Sequence, residues 1–190
     1  MTYLPHLEER NFWLWVLISF CTFGIGGIVY FYFNFADLND LNAYPRPPEV
    51  PSTKIDIIIF VILCCCLPPI GFIVATYMKF NKLHSYLERF PVKGQIRVAS
   101  GLSAVLVSLA GTIIGSVYSF AWKIKQAFYP TSGSMVMTIL YVVTSLLSFG
   151  FAIYMLFLNY RWQEAFNQHA RYLMSQQQPH PPPQQPYPQK

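Results

Sequence analysis

Hydrophobic and polar positions in this chain separate into long blocks. Four apolar stretches run from about Asn11 to Phe33, Asp56 to Met78, Val98 to Trp122 and Met135 to Tyr160. Each exceeds the roughly 20 residues a helix needs to cross a hydrocarbon core. None carries a charged side chain in its interior. The run Ile57-Ile58-Ile59-Phe60-Val61-Ile62-Leu63 lacks the polar stripe of a soluble bundle helix. The pattern predicts an all-α polytopic membrane protein, with four transmembrane helices in a domain over 1–174.

The segments beside these blocks carry a different period. Phe80, Leu83, Leu87 and Phe90 fall on one helical face, with Asn81, Lys82, Ser85, Glu88 and Arg89 around the remainder. Trp162, Phe166, His169 and Leu173 make a second stripe, and Arg161, Glu164, Gln168 and Arg171 lie away from it. Both read as short amphipathic helices at a membrane surface, or as extensions covering the ends of the bundle. Four prolines between Tyr44 and Pro51 stiffen the first connection. Pro68 and Pro69 predict a helix kink in the second stretch. Residues 175–190 are almost all Gln and Pro, the composition of a disordered tail with polyproline II character.

Composition sharpens this picture. Only 11% of residues are charged, against about 25% in soluble domains. The net charge is +5, but the cations flank the apolar blocks and form no compact basic module. Anionic lipid headgroups are therefore the expected partner, not nucleic acid. The candidate contacts, to headgroups or to a protein partner, are Lys79, Lys82, Arg89, Lys93, Arg97, Arg161 and Arg171. With four spans, nine cations (Arg10, Lys79, Lys82, Arg89, Lys93, Arg97, Arg161, Arg171 and Lys190) share a side, against Arg46, Lys54, Lys123 and Lys125 on the other. The positive-inside rule then places both termini in the cytoplasm and the Pro-rich first loop on the outer face. Glu8 and Glu9 deny the N-terminus the basic region of a signal peptide.

Ala104, Ser108, Gly111 and Gly115 lie on one face of the third stretch. Such a small-residue face predicts close helix packing, within the bundle or between copies in a homo-oligomer. Cys21, Cys64, Cys65 and Cys66 sit inside apolar blocks and read as small apolar side chains. The four histidines show no zinc spacing, and no phosphate loop or dinucleotide fingerprint is present. No catalytic residue, metal or cofactor is expected.

Val16, Ser19, Phe23, Gly24 and Phe31 recur at one constant offset as Val142, Ser145, Phe149, Gly150 and Phe157, the trace that duplication of a membrane unit leaves. The segment Ser19-Phe20-Cys21-Thr22-Phe23-Gly24-Ile25-Gly26-Gly27, then Tyr30-Phe31-Tyr32, Asn34 and Leu38-Asn39, resembles the hallmark of the DUF4234-like group of small prokaryotic membrane proteins. A degenerate version occupies Ser145 to Gln168, so the resemblance covers about half the chain. The Tyr-Trp pair frequent in that group's aromatic patch is absent at Tyr30-Phe31, and the Pro-rich tail falls outside. The resemblance implies a multi-pass fold in a prokaryotic plasma membrane and no established activity, ligand or catalytic residue.

The expected function is a structural, scaffold or accessory component of a membrane, with a cytoplasmic partner binding the tail. The alternative is an oligomeric channel or small-solute transporter. A third reading is lipid sensing or membrane shaping by the amphipathic segments near Phe80–Phe90 and Trp162–Leu173.

Overall fold

The structure, a computed structural model, describes residues 4–128 and 135–177. It is all-α, with six helices in that range: α1 (Phe12–Cys21), α2 (Ile25–Leu41), α3 (Ile57–Cys66), α4 (Pro68–Arg89), α5 (Gly101–Phe128) and α6 (Met135–Gln177).

The first apolar stretch is two helices, not one. Asn11 starts α1 by accepting from the backbone N–H groups of Trp13 and Leu14, which are otherwise orphaned at a helix start. After ten residues the chain turns through Phe23 and Gly24, whose φ angles are 50° and 95°. Glycine takes this left-handed conformation without steric cost. The start of α2 then folds back on α1, closest at Gly26. A Cβ there would lie 2.9 Å from the Ser19 backbone nitrogen.

The second stretch reverses by different means. Asp56 caps α3 through the N–H groups of Ile58 and Ile59. Leu67 ends it, and α4 opens on Pro68-Pro69. Proline suits this position because the first turn has no intrahelical use for those donors. A Cβ on Gly71 would lie 2.7 Å from the Leu63 carbonyl carbon, so α4 packs its first turn against α3. The expectation of four continuous spans is corrected accordingly. Two helices, α5 and α6, are long and apolar enough to cross a membrane, and the other two stretches are helical hairpins. The sequence repeat is not matched by a common backbone form, because Phe23-Gly24 reverses the chain while Phe149-Gly150 lies within a continuous α6.

One compact polar head gathers the remaining segments. Its core includes Phe35, Leu38, Phe80, Leu83, Trp162 and Phe166, all at or near full burial. Each such side chain contributes about 1.5–3 kcal/mol relative to exposure. The amphipathic segments expected at a membrane surface are thus extensions of α4 and α6 whose apolar stripes form this core. The loops close over it. The Asn39 side chain accepts from Ile55 N–H at 2.6 Å and donates to the Ile55 carbonyl at 3.0 Å. Tyr44 donates to the Pro5 carbonyl, and Gln168 accepts from Ile96 N–H. Lys82 donates to the Ser52 carbonyl at 3.2 Å.

These bonds place the Pro-rich first loop at the same end as the second connection and the end of α6. Its expected position on the opposite face is corrected, because a hairpin returns the chain to the side it left. Ten cations (Arg10, Arg46, Lys54, Lys79, Lys82, Arg89, Lys93, Arg97, Arg161 and Arg171) belong to head segments, while Lys123 and Lys125 lie near the far end of α5. Helix α6 continues to Gln177, past the expected start of the tail. The disorder and partner binding expected of the tail fall on residues 178–190, outside the described residues.

The two kinds of glycine should respond oppositely to alanine. Gly71→Ala forces a Cβ into the α3 backbone and should destabilise the hairpin by about 1–3 kcal/mol. A Cβ on Gly150 would meet nothing within 4 Å, so Gly150→Ala should stabilise by about 0.5–1 kcal/mol through helix propensity. Thermal unfolding in mild detergent reads both.

Candidate functional site

Two features set this molecule apart from an ordinary helical bundle: a polar network inside the head and a large apolar surface below it. The network begins at Arg10. Its guanidinium donates to Asp37 through Nε at 2.8 Å and through the terminal nitrogen at 2.9 Å, and lies 4.4 Å from the Phe33 ring centroid. Asn167 on α6 grips the same residue's backbone, accepting from Arg10 N–H and donating to its carbonyl at 3.0 Å. Gln163 donates to Asn167, and Tyr30 donates to Gln163 at 2.6 Å. The chain before α1, α2 and α6 are thereby joined by one run of hydrogen bonds.

Burial pushes the Asp37 carboxyl up, and Arg10 pulls it back. Hydrogen bonding to Asp37 holds the Arg10 guanidinium up. The two partners' shifts oppose each other as evidence for a charged pair, and the bidentate geometry decides in its favour.

Lys79 lies beside this network with no solvent exposure. Its ammonium nitrogen is 4.5 Å from the Trp162 ring centroid, 5.0 Å from Phe31, 5.2 Å from Tyr30 and 5.7 Å from Phe80. It donates to Asn159 Oδ1 at 2.9 Å. Among the described residues no carboxylate pairs with it. Desolvation lowers its pKa to about 7, while the ring faces favour the charged form. Its expected role as a headgroup contact is corrected, because the side chain is sealed within the head.

Other expected contacts divide. Lys82 is half-buried on Ser52, and Arg171 pairs with Glu9 at 2.7 Å and Glu164 at 3.4 Å. Arg161 lies over Phe157. Arg89, Lys93 and Arg97 are exposed, and Arg97 lines a cleft of about 670 Å³ beside His84, Glu88 and Gln95. His169 is buried among the rings of Tyr86, Phe90 and Tyr172, and its pKa falls to about 4 by desolvation. No cluster of three metal-ligating side chains exists among the described residues.

The small-residue face packs within the chain. Gly111 lets Phe151 of α6 approach to 3.0 Å from where its Cβ would be, and Gly115 does the same for Ser148 Oγ at 3.1 Å. Ser148 donates to the Gly111 carbonyl at 2.8 Å. Ala104 is buried in the core, and Ser108 lines the cleft between the helices.

The apolar surface is the larger feature. In the apolar windows of α5 and α6, only 11% and 0% of the residues are fully buried. Phe20 is 82% exposed, and Phe23 at the first hairpin's tip is 99% exposed. Monomeric soluble proteins rarely show contiguous apolar patches beyond a few hundred Å². Aromatic clusters bracket this surface. Trp13, Trp15, Tyr30 and Tyr160 meet at the head end, and Tyr118, Trp122 and Tyr141 at the far end. Tyr141 and Tyr160 are 19 residues apart on α6, a rise of about 28 Å.

Compared with family models, with curated proteins and with solved structures, the chain matches none. Its own geometry therefore carries the argument. Arg10, Asp37, Asn167 and Gln163 were invisible as a site in the sequence, since they lie in three separate polar segments with no motif spacing.

Asp37→Asn removes the bidentate partner of Arg10 and leaves its guanidinium only the exposed Glu8 carboxylate, 3.0 Å away, and should cost about 1–3 kcal/mol, read by thermal unfolding. Lys79 predicts a pH signature. Its free value is 10.5, so unfolding takes up a proton between about pH 7 and 10.5. Stability from this residue is lowest at and below pH 7 and rises through that window by up to about 1.4 kcal/mol per unit. Lys79→Met should flatten the rise, as read by unfolding midpoints across pH.

Proposed function

We propose that this chain is a non-catalytic, multi-pass membrane protein of the DUF4234-like group, acting as a scaffold or accessory body. Helices α5 and α6 cross the bilayer, and the head rests on the cytoplasmic face. The observation that carries this reading is that almost no residue in the apolar windows of α5 and α6 is fully buried, and that large apolar side chains along both, such as Leu106, Val117, Leu146 and Phe149, are exposed. A soluble core helix of that composition would be covered. The roughly 28 Å between the two aromatic clusters on α6 matches a hydrocarbon core of about 30 Å with an interfacial belt at each side.

The cation distribution supports the orientation, since the head segments hold ten and the far end two. Exposed Arg89, Lys93 and Arg97 supply the contact with anionic headgroups. The Asn39 and Lys82 ties give the head a fixed surface for a protein partner. A channel needs open polar groups along a pore. Here Thr112, Ser119 and Thr144 return their hydroxyl donors to carbonyls of their own helices, which favours packing and lipid exposure over conduction.

Cysteine accessibility in sealed vesicles tests the topology, with Cys21, Cys64, Cys65 and Cys66 replaced by alanine. Cysteines at Lys54 and Arg97 should react with an impermeant maleimide from one side, and a cysteine at Lys123 from the other. Labelling of Lys54 from the Lys123 side would instead establish four full spans.

A further inference from the structure

We propose that the two helical hairpins form a one-sided wedge, and that the protein generates or selects membrane curved with the head on its convex face. This rests on the membrane reading above and adds to it a consequence of hairpin depth.

The first arms, α1 and α3, are ten residues each, about 15 Å long. That is half of a hydrocarbon core of about 30 Å. Both leave the head in the direction of the spanning pair. Helix α1 departs where Arg10 meets Asn167 and Trp13 meets Tyr160, descending alongside α6. Helix α3 departs at the Asn39–Ile55 clasp and passes Phe60 against Phe35, 4.6 Å between ring centroids. The hairpin tips consequently lie near the bilayer midplane and do not reach the far face.

The first tip is built for a place without water. Lipid offers no hydrogen bonds, so a turn there must satisfy its own backbone. Thr22 N–H donates to Ile18, Phe23 to Phe20, Gly24 to Ser19, and Ile25 to Thr22. Gly26 N–H donates to the Thr22 hydroxyl at 2.8 Å, and Gly27 and Ile28 donate to Gly24. Every N–H from Thr22 to Ile28 has an acceptor. A surface loop in water has no need of this. Phe23, at the apex, then points an almost wholly exposed ring outward. The second tip has fewer donors to satisfy, since Pro68 and Pro69 have no N–H, while Leu67 N–H donates to Leu63 and Gly71 N–H to Leu67.

The outcome is an imbalance between leaflets. The head-side leaflet holds six helical segments: α1, the first half of α2, α3, the first half of α4, α5 and α6. The opposite leaflet holds α5 and α6. Four extra helices, each about 10 Å across, occupy roughly 300 Å² more of one leaflet than of the other. A leaflet expanded on one side relaxes by bending away from the other, with the expanded face convex. The occupant of the exposed hairpin faces is therefore the hydrocarbon of a single leaflet.

The test uses the full chain in giant vesicles of phosphatidylcholine with phosphatidylglycerol. A cysteine at Lys54, in the cysteine-replaced background, is labelled from outside so that only head-out molecules are counted. Narrow tubes are pulled outward, and protein density on tube and parent vesicle is compared. The expected result is several-fold enrichment on the tube. Phe23→Asn with Leu67→Asn places polar groups at both tips without removing a packing contact at Phe23. That variant should still float with vesicles, through α5 and α6, and lose the enrichment. Flotation without enrichment of the parent protein overturns the wedge and leaves the membrane reading intact. Equal enrichment of parent and variant also overturns it. Failure to float or to resist carbonate extraction overturns the membrane reading itself.

Discussion

A polypeptide that reverses direction among apolar side chains cannot leave its backbone to water. The whole lower half of this molecule is organised by that constraint. At Thr22–Ile28 the answer is a closed set of hydrogen bonds, made possible by a left-handed Phe23-Gly24 pair and a threonine hydroxyl that accepts from Gly26. At Leu67–Gly71 the answer is to delete donors with two prolines. Both solutions then require a glycine, Gly26 or Gly71, where the returning helix meets the departing one. Once the two hairpins close, the three polar segments they join return to one end, where α5 and α6 also bring the end of the chain, and the head is built there.

Much of this was legible in the sequence, and what was not has a physical cause. Apolar blocks predict helices, and of the small residues on α5, Gly111 and Gly115 stand where Phe151 and Ser148 of α6 approach. The amphipathic stripes of α4 and α6 were read with the right period. Their partner was hidden, because a stripe does not say whether lipid or another helix covers it. Hydropathy also cannot distinguish a 23-residue span from two short arms of the same composition. Phe23-Gly24 and Pro68-Pro69 were the available signals, and a kink and a reversal begin from the same broken ladder. The charge count followed the span count, so it separated Arg46 and Lys54 from the head segments to which the Lys82–Ser52 and Asn39–Ile55 bonds tie their loop.

Lys79 shows the same limit at the scale of one residue. It ends an apolar block, where a cation ordinarily reaches for the interface. Here the next helical turn carries Phe80 and Leu83 into the head core, and Trp162 donates its indole N–H to the Lys79 carbonyl at 3.0 Å. The backbone is thus pinned in the interior and the amine has no route outward. Aromatic faces and one amide oxygen replace water around it. Arg10, also drawn from a boundary position, receives the carboxylates of Asp37 and Glu8 instead. The head therefore buries one cation by pairing and another by enclosure.

The two halves of the molecule divide labour in consequence. Specific tertiary bonds are concentrated in the head, where Asn39, Asn167, Gln163 and Trp162 fix loops and helices against one another. Below it, contact relies on shape: glycine against backbone in the hairpins and small residues between α5 and α6. Apolar side chains there gain little by packing on each other if hydrocarbon surrounds them, so close approach and backbone closure must suffice. A hairpin held this way is rigid along its length only while its root is fixed. The Arg10–Asp37 pair and the Asn39–Ile55 clasp sit at the roots of the two hairpins. The polar head thus ties the roots of both apolar hairpins to one set of hydrogen bonds.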